Sequence, residues 1–112
     1  MSQSTRQATA FVKAIVDGNA ERARSMLSDE LRAITSTADI TDDYDVMVDD
    51  MGGVESIGEA MEILNDWPDK GRNEVAMVYV PLQGDTYSEA ITVTLVQVDG
   101  KLAISHIEWG RP

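Results

Sequence analysis

The chain has 112 residues and a mass of 12.3 kDa, enough for one domain with a core of its own, and 43% hydrophobic with 26% charged residues is a globular composition. It contains no cysteine, which excludes disulfides, thiol catalysis and thiolate metal sites. Twenty acidic against nine basic side chains give a net charge of −11, which excludes the concentrated positive surface that nucleic-acid binding needs.

No apolar run approaches the ~20 residues of a membrane span, and no secretory apolar segment follows Met1–Arg6. The expectation is a single domain over residues 1–112, cytoplasmic, with no nucleic-acid or membrane partner. An acidic surface keeps a protein dispersed, and halophilic proteins use it. Either a saline environment or ordinary bacterial acidity accounts for it, the second being the simpler.

The chain opens at helical period. Ser4 and Gln7 fit a capping box, and Ala8, Phe11, Val12, Ile15 and Val16 follow on one helical face. Gly18 stops this helix, and Asn19 caps a second with Ala20, Ala23, Met26 and Leu27 inward. Residues 31–37 alternate weakly and predict a short strand. Residues 39–50 hold six aspartates and predict a loop. From Gly52-Gly53, the spacing of Val54, Ile57, Met61 and Leu64 predicts a third helix, ended by Trp67-Pro68.

The last third reads as strands. Residues 74–82 and 89–98 flank a turn at 83–86, and Asp99-Gly100 is a strong two-residue hairpin signal leading into a strand from Lys101. Pro81 cannot donate to a ladder, which places its strand at an edge or at a bulge. The order predicts an α+β fold: an antiparallel sheet with three helices packed on one face.

A regular two-residue turn pairs Gln97 with Leu102, Leu95 with Ile104, Val93 with His106 and Ile91 with Glu108. His106 and Glu108 then share the helix-side face, at its open end. The opposite face collects Ala90, Thr92, Thr94, Val96, Val98, Ala103, Ser105, Ile107 and Trp109. That face is too apolar to be left wet, and it predicts a homodimer interface over Thr92, Thr94, Val96, Ala103, Ser105, Ile107 and Trp109.

The segment Val-Asp-Gly-Asn-Ala-Glu-Arg-Ala at 16–23 and the hairpin Val-Asp-Gly-Lys-Leu-Ala-Ile-Ser-His-Ile at 98–107 resemble the nuclear-transport-factor-2-like superfamily. This group includes ketosteroid-isomerase-like and polyketide-cyclase-like proteins. The resemblance implies a cone-shaped curved sheet wrapped by helices, an apolar pocket inside, and dimers through the sheet. The family's enzymes use a pocket carboxylate base, with a tyrosine or second acid polarising a carbonyl, or an Asp-Arg-Asp set. No position here matches those motifs, and Leu102 stands where such sequences often carry tryptophan.

Four residues are candidates for ligand binding. His106 is the one side chain whose ordinary pKa lies near neutrality, and Glu108 stands next but one to it. Tyr44, with Val46, Met47, Val48 and Met51, could cover a pocket mouth or anchor the loop to the core. Trp67 could cap the core or touch a ligand. The aspartates of 39–50 fail the calcium-loop test, since the sixth position is Tyr44 or Val48 where glycine is needed. No Gly-x-Ser-x-Gly elbow is present. The expectation is therefore no catalytic residue, no metal and no cofactor.

Three functions remain open. One is a non-catalytic small-ligand-pocket or interaction module, with a small apolar ligand as its partner. Another is a small isomerase, cyclase or hydrolase working by acid/base chemistry in the cone. The third is a dimeric assembly factor with no ligand.

Overall fold

A computed structural model describes residues 2–110. Helix α1 spans Gln3–Val16, and its cap is Ser2, whose side chain accepts from the Thr5 amide at 3.1 Å. The start therefore lies two residues before the expected Ser4 cap; Ser4 itself is buried inside the first turn. Gly18, at φ 80°, turns the chain into α2, Ala20–Ser25, where Asn19 caps through the Arg22 amide as expected.

The middle of the chain departs from the sequence reading. Residues 31–37 do not form a strand: α3, Asp29–Ala33, occupies their first part. Ser28 caps it, Asp29 and Glu30 fill the first turn and Arg32 the last, which suits the helix dipole at both ends. The aspartate-rich stretch is not a loop but α4, Thr37–Met51. Asp is a poor helix former, yet Ile40, Tyr44, Met47, Val48 and Met51 recur at helical spacing, and all five are buried or half-buried against the core. A capping box holds its start, Ser36 Oγ accepting from the Asp39 amide at 3.0 Å and Asp39 Oδ2 from the Ser36 amide at 2.9 Å. Gly52 at φ 76° ends it in the left-handed conformation.

The expected third helix from Gly52 is instead two short strands, β1 Val54–Ile57 and β2 Met61–Leu64. The helical spacing of Val54, Ile57, Met61 and Leu64 was a coincidence of two separate strands interrupted at residues 58–60. Gly58 fits there because a side chain would strike the Pro81 ring, its Cβ falling 2.8 Å from Cγ.

Strands β3 Glu74–Gly84, β4 Glu89–Val98 and β5 Lys101–Trp109 complete an antiparallel sheet ordered β1-β3-β4-β5, with β2 also on β3. Both short strands lie along one side of β3, β1 beside Leu82–Gly84 and β2 beside Met77–Tyr79. Pro81 is thus in an interior strand, not an edge. It is tolerated because its backbone faces the break between β1 and β2, where its carbonyl accepts from the Gly58 amide at 2.8 Å.

The α+β class and the curved antiparallel sheet stand as expected, with four helices in place of three. The core lies between the sheet's inner face and the helices. Phe11, Val12, Ile40 and Met51 meet Val78, Val80, Leu82, Ile91, Val93, Leu95 and Ile104, all at or below 1% exposure.

Candidate functional site

The Asp99-Gly100 hairpin forms as expected near its turn, with Val98 facing Lys101, Gln97 facing Leu102 and Leu95 facing Ile104. Beyond that the register shifts. Thr94 faces His106, Val93 faces Ile107, Thr92 faces Glu108 and Ile91 faces Trp109. Ser105 is an extra residue on β5, a bulge, and side chains past it exchange faces.

Two expectations are corrected by this one residue. His106 and Glu108 do not lie on the helix-side face; they lie on the outer face, exposed, beside Thr94 and Thr92. Ile107 and Trp109 do not belong to the outer face; they turn inward and pack against the core. The bulge fits the chemistry of the residues it exchanges, because it sends an imidazole and a carboxylate to solvent and brings in an isoleucine and a tryptophan.

Tyr44 sits on α4, half-buried, in a crevice of about 150 Å³ shared with Ile15, Val16, Ile40 and Asp45. Burial first, then the Asp45 and Asp17 carboxylates, push its phenol above the usual tyrosine range. Of its neighbours, Met47 and Met51 are buried in the core and Val48 packs against it, so this stretch anchors the helix; Val46 points out at 68% exposure. Trp67 lies half-buried in the β2–β3 connection, with the Lys70 ammonium 5.8 Å from its ring centre. The four candidates are not brought together: Tyr44 is among the helices, Trp67 is in a connection, and His106 and Glu108 are across the sheet.

His106 borders an open groove of about 490 Å³ with Ser28, Ser105, Glu30, Glu74 and Val96. The groove has the residue types of acid–base and nucleophilic chemistry without their pairing. Ser28 Oγ accepts from the Leu31 amide as the cap of α3, and Ser105 Oγ donates to the Thr94 carbonyl at 3.4 Å. Among the described residues His106 makes no hydrogen bond to either, and no cluster of three His, Asp or Glu is placed to hold a metal ion.

The outer face of the sheet is the other distinctive surface. β4 contributes Ala90, Thr92, Thr94 and Val96; the facing positions of β3 are Pro81, Tyr79 and Met77. Ala103 adjoins Val96 on β5. All are uncharged, with Glu74, Glu108 and His106 around them. The threonines form a floor, 6% and 4% exposed, under longer neighbours, and the Thr92 hydroxyl is buried with no hydrogen-bond partner among the described residues. Sequence reading missed Met77 and Tyr79 because it aligned only the last hairpin; Pro81, at a fixed position in β3, was the available signal for that strand's register.

No family model and no curated protein matches the chain. Among solved structures, it is similar to a Campylobacter jejuni protein described as a candidate NTF2-like transpeptidase. The two share 19% identity over 94% of this chain and 99% of that one, with a TM-score of 0.60. No helix among the described residues is long and apolar enough to cross a membrane. The curved five-stranded sheet, its helices and this structural likeness together establish that the chain adopts the nuclear-transport-factor-2-like fold.

Proposed function

We propose that this protein is a non-catalytic interaction module that works as a homodimer joined through the outer face of its sheet. The observation carrying this reading is the uncharged outer face of β3 and β4, with charged side chains only around it. That arrangement, apolar at the centre and polar at the rim, is the anatomy of a protein interface. A two-fold axis over β4 would set Met77 and Tyr79 of each copy above the threonine floor of the other, making the patch self-complementary. About 800 Å² buried per copy is ordinary for such a contact.

The filled concave side favours this reading over a ligand pocket. Phe11, Ile40, Met51, Ile91 and Leu95 occupy the space a ligand would take, all at or below 1% exposure. The transpeptidase description of the structural neighbour gains no support from residues here: the chain has no cysteine, and neither groove serine is bonded to His106.

The test is sedimentation equilibrium of the unmodified protein and of Val96→Lys. Val96 borders the groove beside Glu74, so a lysine there can reach water and a carboxylate in a single chain but not in an apolar contact. The proposal expects a dimer for the first and a folded monomer for the second, with a cooperative melting transition retained. A monomeric unmodified protein at micromolar concentration overturns it.

A further inference from the structure

The net charge is not spread along the chain. Residues 33–69 contain eleven acidic side chains and no basic one, leaving nine of each sign elsewhere, so the whole excess of −11 resides in α4, β1, β2 and their connections. Within this stretch lies β2, the most exposed strand of the sheet: none of its four residues is buried, and Met61, Ile63 and Leu64 are 51%, 45% and 43% exposed. β2 pairs with β3 along one side, and among the described residues no strand pairs along the other.

Natural sheets protect such edges with lysine, proline or a covering element. β2 is short and shifts register between Glu62 and Leu64, and Ser2 Oγ donates to Glu62 at 3.4 Å, but it carries no lysine or proline, and three large apolar side chains stay exposed on it, with Glu59, Glu62 and Asp66 in and around it. An edge left unpaired in this way can accept an extended segment by strand addition: the ladder supplies affinity, and alternate side chains supply selectivity. A second copy of this chain fits the edge poorly, because two-fold pairing of β2 with itself would bring like carboxylates together.

We propose that the free edge of β2 binds an extended segment of a partner protein in which basic and apolar residues alternate, adding a strand to the sheet. The apolar residues would lie against Met61 and Leu64, and the basic ones would meet Glu59, Glu62 and Asp66. This rests on the reading of the protein as an interaction module, but it uses the backbone edge of β2, whose Met61 and Leu64 stand beside Tyr79 and Met77 at the margin of the outer face.

The experiment measures fluorescence anisotropy of a labelled eight-residue peptide alternating lysine with valine, added to the full chain. The same peptide N-methylated at alternate residues keeps its charge and side chains but loses donors to a ladder. The proposal expects saturable binding, at least tenfold weaker for the N-methylated peptide and for Met61→Lys/Leu64→Lys protein. It also expects slowed amide exchange over residues 61–64 when the unmethylated peptide is bound. Equal binding of both peptides, or protection confined to α4, would mean attraction to acidic charge alone and overturns it. Because Met61 and Leu64 adjoin Tyr79 and Met77, a loss of peptide binding as large in Val96→Lys would place the peptide on the outer face and not on the edge, which also overturns it. Val96→Lys must bind the peptide like the unmodified protein, so failure of the dimer and failure of the strand addition give different results.

Discussion

The two faces of the sheet solve different problems with the same strands. The inner face carries Val78, Val80, Leu82, Ile91, Val93 and Leu95, large aliphatics sealed under α1 and α4. The outer face of β4 carries Ala90, Thr92, Thr94 and Val96, small side chains that include the Thr92 hydroxyl, without a partner among the described residues. Deep burial of bulk on one face specifies the fold, whereas a low, uncharged surface on the other suits close approach of a second sheet. The allocation on β5 is decided by one residue, Ser105, whose bulge gives Ile107 to the first face and His106 to the second.

The largest effect should come from the inner face. Phe11→Ala empties a fully buried position and should cost about 3–5 kcal/mol in denaturant unfolding; a loss under about 1 kcal/mol would mean that the helices pack loosely on the sheet.

Ile107→Asp separates the two faces more sharply. With Ile107 packed inward, the substitution strands a carboxylate against the core and should lower the melting temperature steeply. In a regular hairpin the same change would reach the outer face and leave the melting temperature nearly untouched. Deleting Ser105 should be milder than Ile107→Asp, because removal of the extra residue leaves Thr94 facing His106 and Val93 facing Ile107. A deletion as damaging as Ile107→Asp would contradict the bulge.

How much of this the sequence showed depends on the kind of signal. The first two helices and the Asp99-Gly100 turn were legible because Gly18, Asn19 and Gly100 mark boundaries through backbone conformation. α4 was not, since six aspartates outweighed the Ile40, Tyr44, Met47 and Met51 stripe, and the Ser36–Asp39 capping box went unread. That box should be worth about 1 kcal/mol, so Ser36→Ala should lower stability by roughly that amount. The positions of His106 and Glu108 were illegible for another reason: a bulge leaves no mark in residue type, yet reverses every face beyond it.

The smallest effect is a pH dependence on the helical side. Tyr44 has its phenol pKa raised by burial, Asp45 and Asp17, so the folded chain holds this proton more tightly than the unfolded one. Its contribution is fully present below the ordinary tyrosine pKa of about 10 and is lost as pH rises through the higher folded value. Tyr44→Phe should flatten the alkaline limb of a stability–pH curve, and an unchanged limb would assign that loss to other groups.

The sharpest test of the two-faced account is methyl NMR with a soluble paramagnetic relaxation agent at two protein concentrations. The account predicts that the Met77 and Ala103 methyls are shielded at high micromolar concentration and become broadened on dilution, while Ile91, Val93 and Ile107 stay shielded throughout. Outer-face methyls equally broadened at both concentrations, or Ile107 broadened along with them, would contradict it.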